Sequence, residues 1–245
     1  MIALNEKLKS GINLLCIEGV IGAGKTSLTR LLSERFEART VCEEVEGNPF
    51  LAPFYKDRKS FAFQTQLWFL LSRHKQLTQE LLQQDLFHHV TISDYLFAKD
   101  RIFAVINLNE SELALYNSIV GVMERDVPKA DLVIYLQAST DTLMKRIDKR
   151  ARAFERTIER KYIETLNEAY SQFFFHYTDS PLLIINTDNI DFVGNGDDLD
   201  EIVEQIVKAG PGTNFYQPMG AKMRPKIEQR HEERLDMNPH LPEHD

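Results

Sequence analysis

The chain has 245 residues, 43% of them hydrophobic and 27% charged, close to ordinary folded domains, which excludes wholesale disorder and favours one large α/β domain. A net charge of −8 gives it no electrostatic reason to bind a nucleic acid backbone or an anionic membrane, so a small-molecule partner is expected. The start of the chain lacks signal-peptide traits, no apolar run reaches bilayer-spanning length, and two cysteines make no disulfide framework, all of which fits a cytoplasmic protein.

Taken in chain order, residues 13–18 form a short apolar run ending in glycines, and Leu28, Leu31 and Leu32 then recur at helical spacing, which reads as strand, loop, helix. Similar runs recur at 40–43, 90–93, 132–136 and 182–186, with helical segments expected over 60–84, 96–125, 140–150, 159–177 and 198–209. That alternation predicts a doubly wound α/β fold with a five-stranded parallel sheet flanked by helices. Cys16 and Cys42 fall in these runs and are expected to be buried. Residues 1–210 are read as the folded domain. Residues 211–245, rich in Pro, Gly and charge and without periodicity, are read as an extended C-terminal tail, and the tail histidines His231, His240 and His244 have no ligand spacing.

The strongest chemical signal is Gly19-Val-Ile-Gly-Ala-Gly-Lys-Thr26, a G-x-x-x-x-G-K-[ST] loop between a strand and a helix. Gly19, Gly22, Ala23, Gly24 and Ser27 belong to a loop whose N–H groups converge on a phosphate chain. Lys25 reaches the β- and γ-phosphates, and Thr26 offers a hydroxyl to Mg²⁺; the cofactors implied are ATP and Mg²⁺. A guanine-reading N-K-x-D segment is missing from the stretch after the fifth strand, so a switch GTPase is set aside. The second strand ends in Glu43-Glu44 and delivers a carboxylate to the edge where ligands of such sheets bind, as an alcohol acceptor requires. Residues 140–157 concentrate Lys145, Arg146, Lys149, Arg150, Arg152 and Arg156, a basic helical lid over an anion.

With these residues on the page, the chain resembles the deoxynucleoside kinase family, which includes deoxycytidine, deoxyguanosine and bacterial deoxyadenosine kinases. The resemblance runs from about Leu14 to Phe192. It rests on the phosphate loop, on Glu43-x-Val-x-x-Asn-Pro-Phe-Leu-x-x-Phe-Tyr55, on Phe63-Gln-Thr-Gln66 with Leu71-Ser-Arg73, and on Arg146-x-x-x-Arg150-Ala-Arg152-x-x-Glu155. It implies transfer of the γ-phosphate of ATP to the 5′-hydroxyl of a deoxynucleoside, with Glu43 as base and Arg150 and Arg152 on the phosphates. It also implies Tyr55 and Glu155 on the 3′-hydroxyl, Gln66 (or Gln64 in another register) and Phe103 on the nucleobase, and Val45 and Phe54 beside it. Arg146, Asp191 and Phe192 go with the ATP side, Arg73 with Asp100 reads the base, and a homodimer is implied.

The chain departs from the family at Glu44, where a proline is usual, and after the third strand, where Ser93-Asp94-Tyr95 stands for Glu-Arg-Ser or Asp-Arg-Ser. Asp94 is preferred over Ser93 as the metal-side carboxylate, and Arg101 or Lys99 is expected to replace the missing arginine. A purine nucleoside is favoured, deoxyadenosine first, with deoxycytidine also admitted. Two rivals stand beside this reading: a monophosphate kinase of the thymidylate kinase kind, against which Glu43 would repel an acceptor phosphate, and a regulatory subunit that binds nucleotide without chemistry.

Overall fold

The computed structural model describes residues 11–80, 88–152, 155 and 157–218. Strands β1 (Leu14–Gly19), β2 (Arg39–Val41), β3 (Thr91–Ser93), β4 (Leu132–Gln137), β5 (Leu182–Asn186) and β6 (Thr213–Tyr216) pair in the order β2-β3-β1-β4-β5-β6. Every pair is parallel. The sheet therefore has six strands where the sequence predicts five, and the extra one lies in the segment read as a tail. β6 was hidden because an edge strand of alternating exposed residues, with Phe215 in solvent, carries no apolar run. Residues 219–245, the rest of that segment, lie outside the described residues.

β1, β4 and β5 are nearly buried from end to end, as a parallel sheet covered on both faces requires. The cover comes from α1 (Lys25–Phe36), α2 (Leu51–Lys56), α3 (Arg58–Glu80), α4 (Lys99–Asn107), α5 (Glu110–Met123), α6 (Thr140–Arg150), α7 (Arg160–Phe175) and α8 (Gly196–Lys208). α7 is amphipathic: Tyr162, Ile163, Leu166, Tyr170 and Phe174 form its buried stripe, and Phe174 stacks on Tyr135 of β4 at 4.3 Å between ring centroids. No helix among the described residues is long and apolar enough to cross a membrane.

The single long helix expected over 96–125 is two helices. Leu108 is extended, and Asn109 caps α5 through a reciprocal pair of hydrogen bonds with Glu112, an N-terminal signal written in the sequence as Asn-Glu-Ser-Glu. α2 was not foreseen; it is a short turn of helix that carries Phe54 and Tyr55.

The chain leaves β1 for β2 on one side, then returns through β3 to β4 on the other. The carboxyl end of β1 thus sits where the strand order reverses, which is where open α/β sheets bind ligands.

Candidate active site

The phosphate loop is built by left-handed glycines. Gly22 and Gly24 have φ of 88° and 101°, a region in which a side chain is strained. Gly24 is the N-cap of α1 and supplies no side chain, so the first amides of α1 keep no side-chain acceptor and open toward the site. Gly19 ends β1 with its amide on Glu18 Oε1 (3.1 Å), and its carbonyl accepts from Lys25 Nζ (2.7 Å).

At the exits of β2 and β3 the chain crosses itself closely, Asp94 N donating to Val41 O at 3.1 Å. This brings the Asp94 carboxylate onto two partners, accepting from Glu43 N at 2.7 Å and from Thr26 Oγ1 at 2.8 Å. Ser93 turns the other way, its hydroxyl donating to Tyr95 O inside the core. Asp94 is thus the one of the two whose side chain meets Thr26.

Glu43 is the electrostatic centre of the acceptor side. Arg73 donates to its Oε1 through Nε (2.8 Å) and Nη2, and Lys99 Nζ donates to its Oε2 at 3.0 Å. Burial opposes ionisation of Glu43, but the charges of Arg73 and Lys99 outweigh it and hold the carboxyl well below the usual carboxylate range. Arg73 also pairs through Nη1 with Asp100, which is 1% exposed. Of the two candidates for the missing arginine, Arg101 lies in solvent paired with Glu124, and Lys99 is the buried one. Tyr95 fills the interior under both cations, with Arg73 and Lys99 at 5.9 and 5.7 Å from its ring centre.

These groups open into one cavity of about 790 Å³. Lys25, Thr26, Glu43, Asp94, Arg73, Lys99 and the lid arginines Arg146, Arg150 and Arg152 all line it, with Gly22, Ala23, Gly24 and Ser27 at the phosphate loop. Among its described lining residues, seven basic side chains face four carboxylates, the reverse of the chain's overall charge and suited to a polyphosphate. Val45, Phe54, Tyr55, Gln66, Phe103 and Glu155 line the acceptor end, and Asp191 and Phe192 the other. Gln66 is buried there and Gln64 is exposed.

Two residues expected to touch ligand do not line the cavity. Gly19 lies behind the loop, committed to Glu18 and Lys25, and Asp100 lies behind Arg73. Cys42, expected to be buried, is exposed just past the end of β2 and lines the cavity. Missed altogether were Tyr162 and Tyr170 from α7, which line the cavity, and Glu18, which is wholly buried. Glu18 accepts from Leu96 N (2.9 Å) and Tyr170 Oη (3.3 Å), and a lone acid closing an apolar strand was its visible signal.

The lid side is held by short connections. Arg146 donates to Ala23 O (3.3 Å), Thr187 Oγ1 (3.0 Å) and Thr187 O (2.7 Å), stitching the phosphate loop to the segment after β5. α6 ends on Ala151 in the left-handed region (φ 53°), at a cost of roughly 1–2 kcal/mol for a residue with a Cβ. That turn separates Arg150 from Arg152 and lets both approach Glu155, Arg150 Nε donating at 3.1 Å and Arg152 Nη1 lying at 4.0 Å. Burial, with Tyr162 and Glu155 nearby, keeps the Tyr55 phenol protonated far above its ordinary range, so it is a hydrogen-bond donor. Arg156, counted with the basic lid, lies outside the described residues.

Comparison with known proteins agrees with the geometry. Residues 15–209 match the family model described as deoxynucleoside kinase. The chain is 36% identical over 199 residues to deoxyguanosine kinase of Bacillus subtilis, covering 78% of this chain and 95% of that one. It is 33% identical over 209 residues to deoxyadenosine kinase of Lactobacillus acidophilus, covering 80% and 95%. Among solved structures, deoxyadenosine kinase from M. mycoides with bound dCTP superposes with a TM-score of 0.68 at 28% identity, covering 80% of this chain and 99% of that one.

Proposed function

The chain belongs to the deoxynucleoside kinase family, and from that premise we propose that it moves the γ-phosphate of ATP onto the 5′-hydroxyl of a deoxynucleoside, purines first, in nucleotide salvage. The observation that carries this reading is the pairing of Lys25 and Glu43 across one cavity, a phosphate-holding ammonium opposite an ionised carboxylate. The carboxylate suits an alcohol acceptor and would repel an acceptor phosphate, which disfavours the monophosphate kinase alternative. The half-buried Glu43, held by Arg73 and Lys99, and the basic cavity also argue against a subunit without chemistry.

In this reading the 5′-hydroxyl sits on Glu43, which takes its proton as the bond to phosphorus forms. Tyr55 and Glu155 hold the 3′-hydroxyl, Gln66, Phe54, Val45 and Phe103 hold the base, and Arg150 and Arg152 meet the charge on the transferring group. The ATP base lies toward Arg146, Asp191 and Phe192. Thr26 and Asp94 present one neutral and one anionic oxygen 2.8 Å apart, a donor set that fits Mg²⁺, and they would hold it. When bound it supplies positive charge beside the β- and γ-phosphates. Most of the rate comes from positioning and preset charge, with no covalent enzyme intermediate.

The homodimer and the cytoplasmic location are part of the same reading. A second copy would cover Leu71 on α3 and Leu115 and Val122 on α5, large apolar side chains left half in solvent or more.

Release of ADP should be accelerated by deoxynucleosides and not by their monophosphates. Acceleration by monophosphates alone would favour the rival kinase, and no turnover with either would remove the enzyme reading. Arg150→Ala and Arg152→Ala should each lower turnover at least tenfold while Tm shifts by less than about 3 °C, because both arginine side chains reach solvent and their pairs with Glu155 are screened on that side. Losses of Tm and turnover in step would make the arginines structural.

A further inference from the structure

Lys99 is 3% exposed, opens α4, and borders the cavity. Its place is set by the backbone: Lys99 N donates to Leu96 O, and Leu96 N in turn donates to the buried Glu18. The two oxygens of Glu43 are not alike. Oε1 takes two nitrogens of Arg73, whereas Oε2 takes Lys99 at 3.0 Å. An incoming hydroxyl therefore meets Glu43 at Oε2, the oxygen with room for a further donor, and meets it beside the Lys99 ammonium.

A second observation concerns the phosphate side. Lys25 and Lys99 line the same cavity, in a site where Arg73 is already committed to Glu43 and Asp100. Two like charges facing one cavity make a seat for an anion between them, and an ammonium with three donors and one hydrogen-bond acceptor among the described residues has two to give. Lys25 serves the loop end of that seat and Lys99 the acceptor end.

We propose that Lys99 is a catalytic residue of the phosphoryl transfer, holding Glu43 before substrate arrives and contacting the 5′-oxygen and the transferring phosphoryl group during reaction. The inference rests on the kinase reading above. In the step, the 5′-oxygen bonds to the γ-phosphorus as the bond from that phosphorus to the bridging oxygen breaks. The 5′-proton passes to Glu43 Oε2, and the electron pair of the broken bond stays with ADP. As the proton neutralises Glu43, the ammonium is released from its counter-charge and turns wholly to the phosphoryl oxygens, so its attraction grows where charge develops.

The test is Lys99→Met and Lys99→Arg in the full chain, with kcat measured on ATP and deoxyadenosine, Kd for each measured separately by calorimetry, and Tm alongside. Lys99→Met should lower kcat about a hundredfold while both Kd values stay within about threefold, and Lys99→Arg should keep at least about a tenth of the wild-type kcat. A Lys99→Met kcat within about threefold of wild type overturns the proposal. So does loss of kcat, Kd and Tm together in both variants, which marks a core lysine. A wild type that phosphorylates no deoxynucleoside overturns the kinase reading, and this role with it, so the wild-type arm separates the two failures.

Discussion

Glu43→Gln is expected to lower kcat about a thousandfold while ATP binding stays nearly intact, within the 10²–10⁴ range for a general base. The amide keeps the shape of the side chain and removes its charge, so it can neither take the 5′-proton nor balance Arg73 and Lys99. Those cations are 4% and 3% exposed, and Asp100 alone would remain beside Arg73. Removing one member of a buried ion cluster usually destabilises, by about 3–5 kcal/mol where it leaves an uncompensated charge, so Tm should fall as well. ATP affinity is the discriminating measurement, because the loop amides and Lys25 Nζ depend on Gly19 and Val20 rather than on Glu43. Glu44→Gln is the control. Glu44 is exposed, and its loss should leave kcat near wild type. A crippled Glu44→Gln beside a near-normal Glu43→Gln would show that the base was assigned to the wrong glutamate.

Much of this site was legible before any coordinates. The loop Gly19–Thr26 combines a composition, a spacing and a strand-to-helix setting that few alternatives satisfy, and the buried strands announce themselves as short apolar runs. The illegible parts share a physical cause: their signal is not periodic. β6 pairs through its backbone and exposes its side chains, so polarity says little about it. The break at Leu108 is a capping event read from two residues, Asn109 and Glu112, inside a stretch whose apolar residues recur at helical spacing on both sides of it. Lys99 could not be singled out because its charge arrives from the first turn of a helix, four residues past the place the family fills with arginine, and only the fold decides between it and Arg101. Glu18 and Tyr170 meet across 152 positions of sequence, a contact no local pattern encodes.

Substrate choice is where the largest effect is expected: thymidine should be a poorer substrate than deoxyadenosine by up to about 10⁴-fold in kcat/KM. Arg73 belongs to α3, on whose surface an arginine would pair with an acidic neighbour of its own helix. In the fold it is buried, and both of its carboxylate partners lie off α3. Asp100 fixes the guanidinium from behind, so Arg73 presents its donors in one orientation to ring nitrogens or carbonyls. Asp100 Oδ2 is buried behind Arg73 with no hydrogen-bond partner among the described residues, and in the proposed reading an exocyclic amine reaches it once Arg73 moves aside. Adenine, guanine and cytosine carry that amine. Thymine carries a carbonyl and a methyl group instead, so its entry would crowd the pair and leave the acceptor unmatched. The named relatives, deoxyguanosine and deoxyadenosine kinases, fall on the amine-bearing side. Because Arg73 also holds Glu43, Arg73→Met combined with Asp100→Ala should depress every rate, and the informative quantity is the ratio between nucleosides. Measured on deoxyadenosine, deoxyguanosine, deoxycytidine and thymidine, that ratio should collapse toward unity in the double variant. Thymidine as the best wild-type substrate, or an unchanged order in the double variant, would move base recognition away from Arg73 and Asp100 and onto Gln66 and its aromatic neighbours.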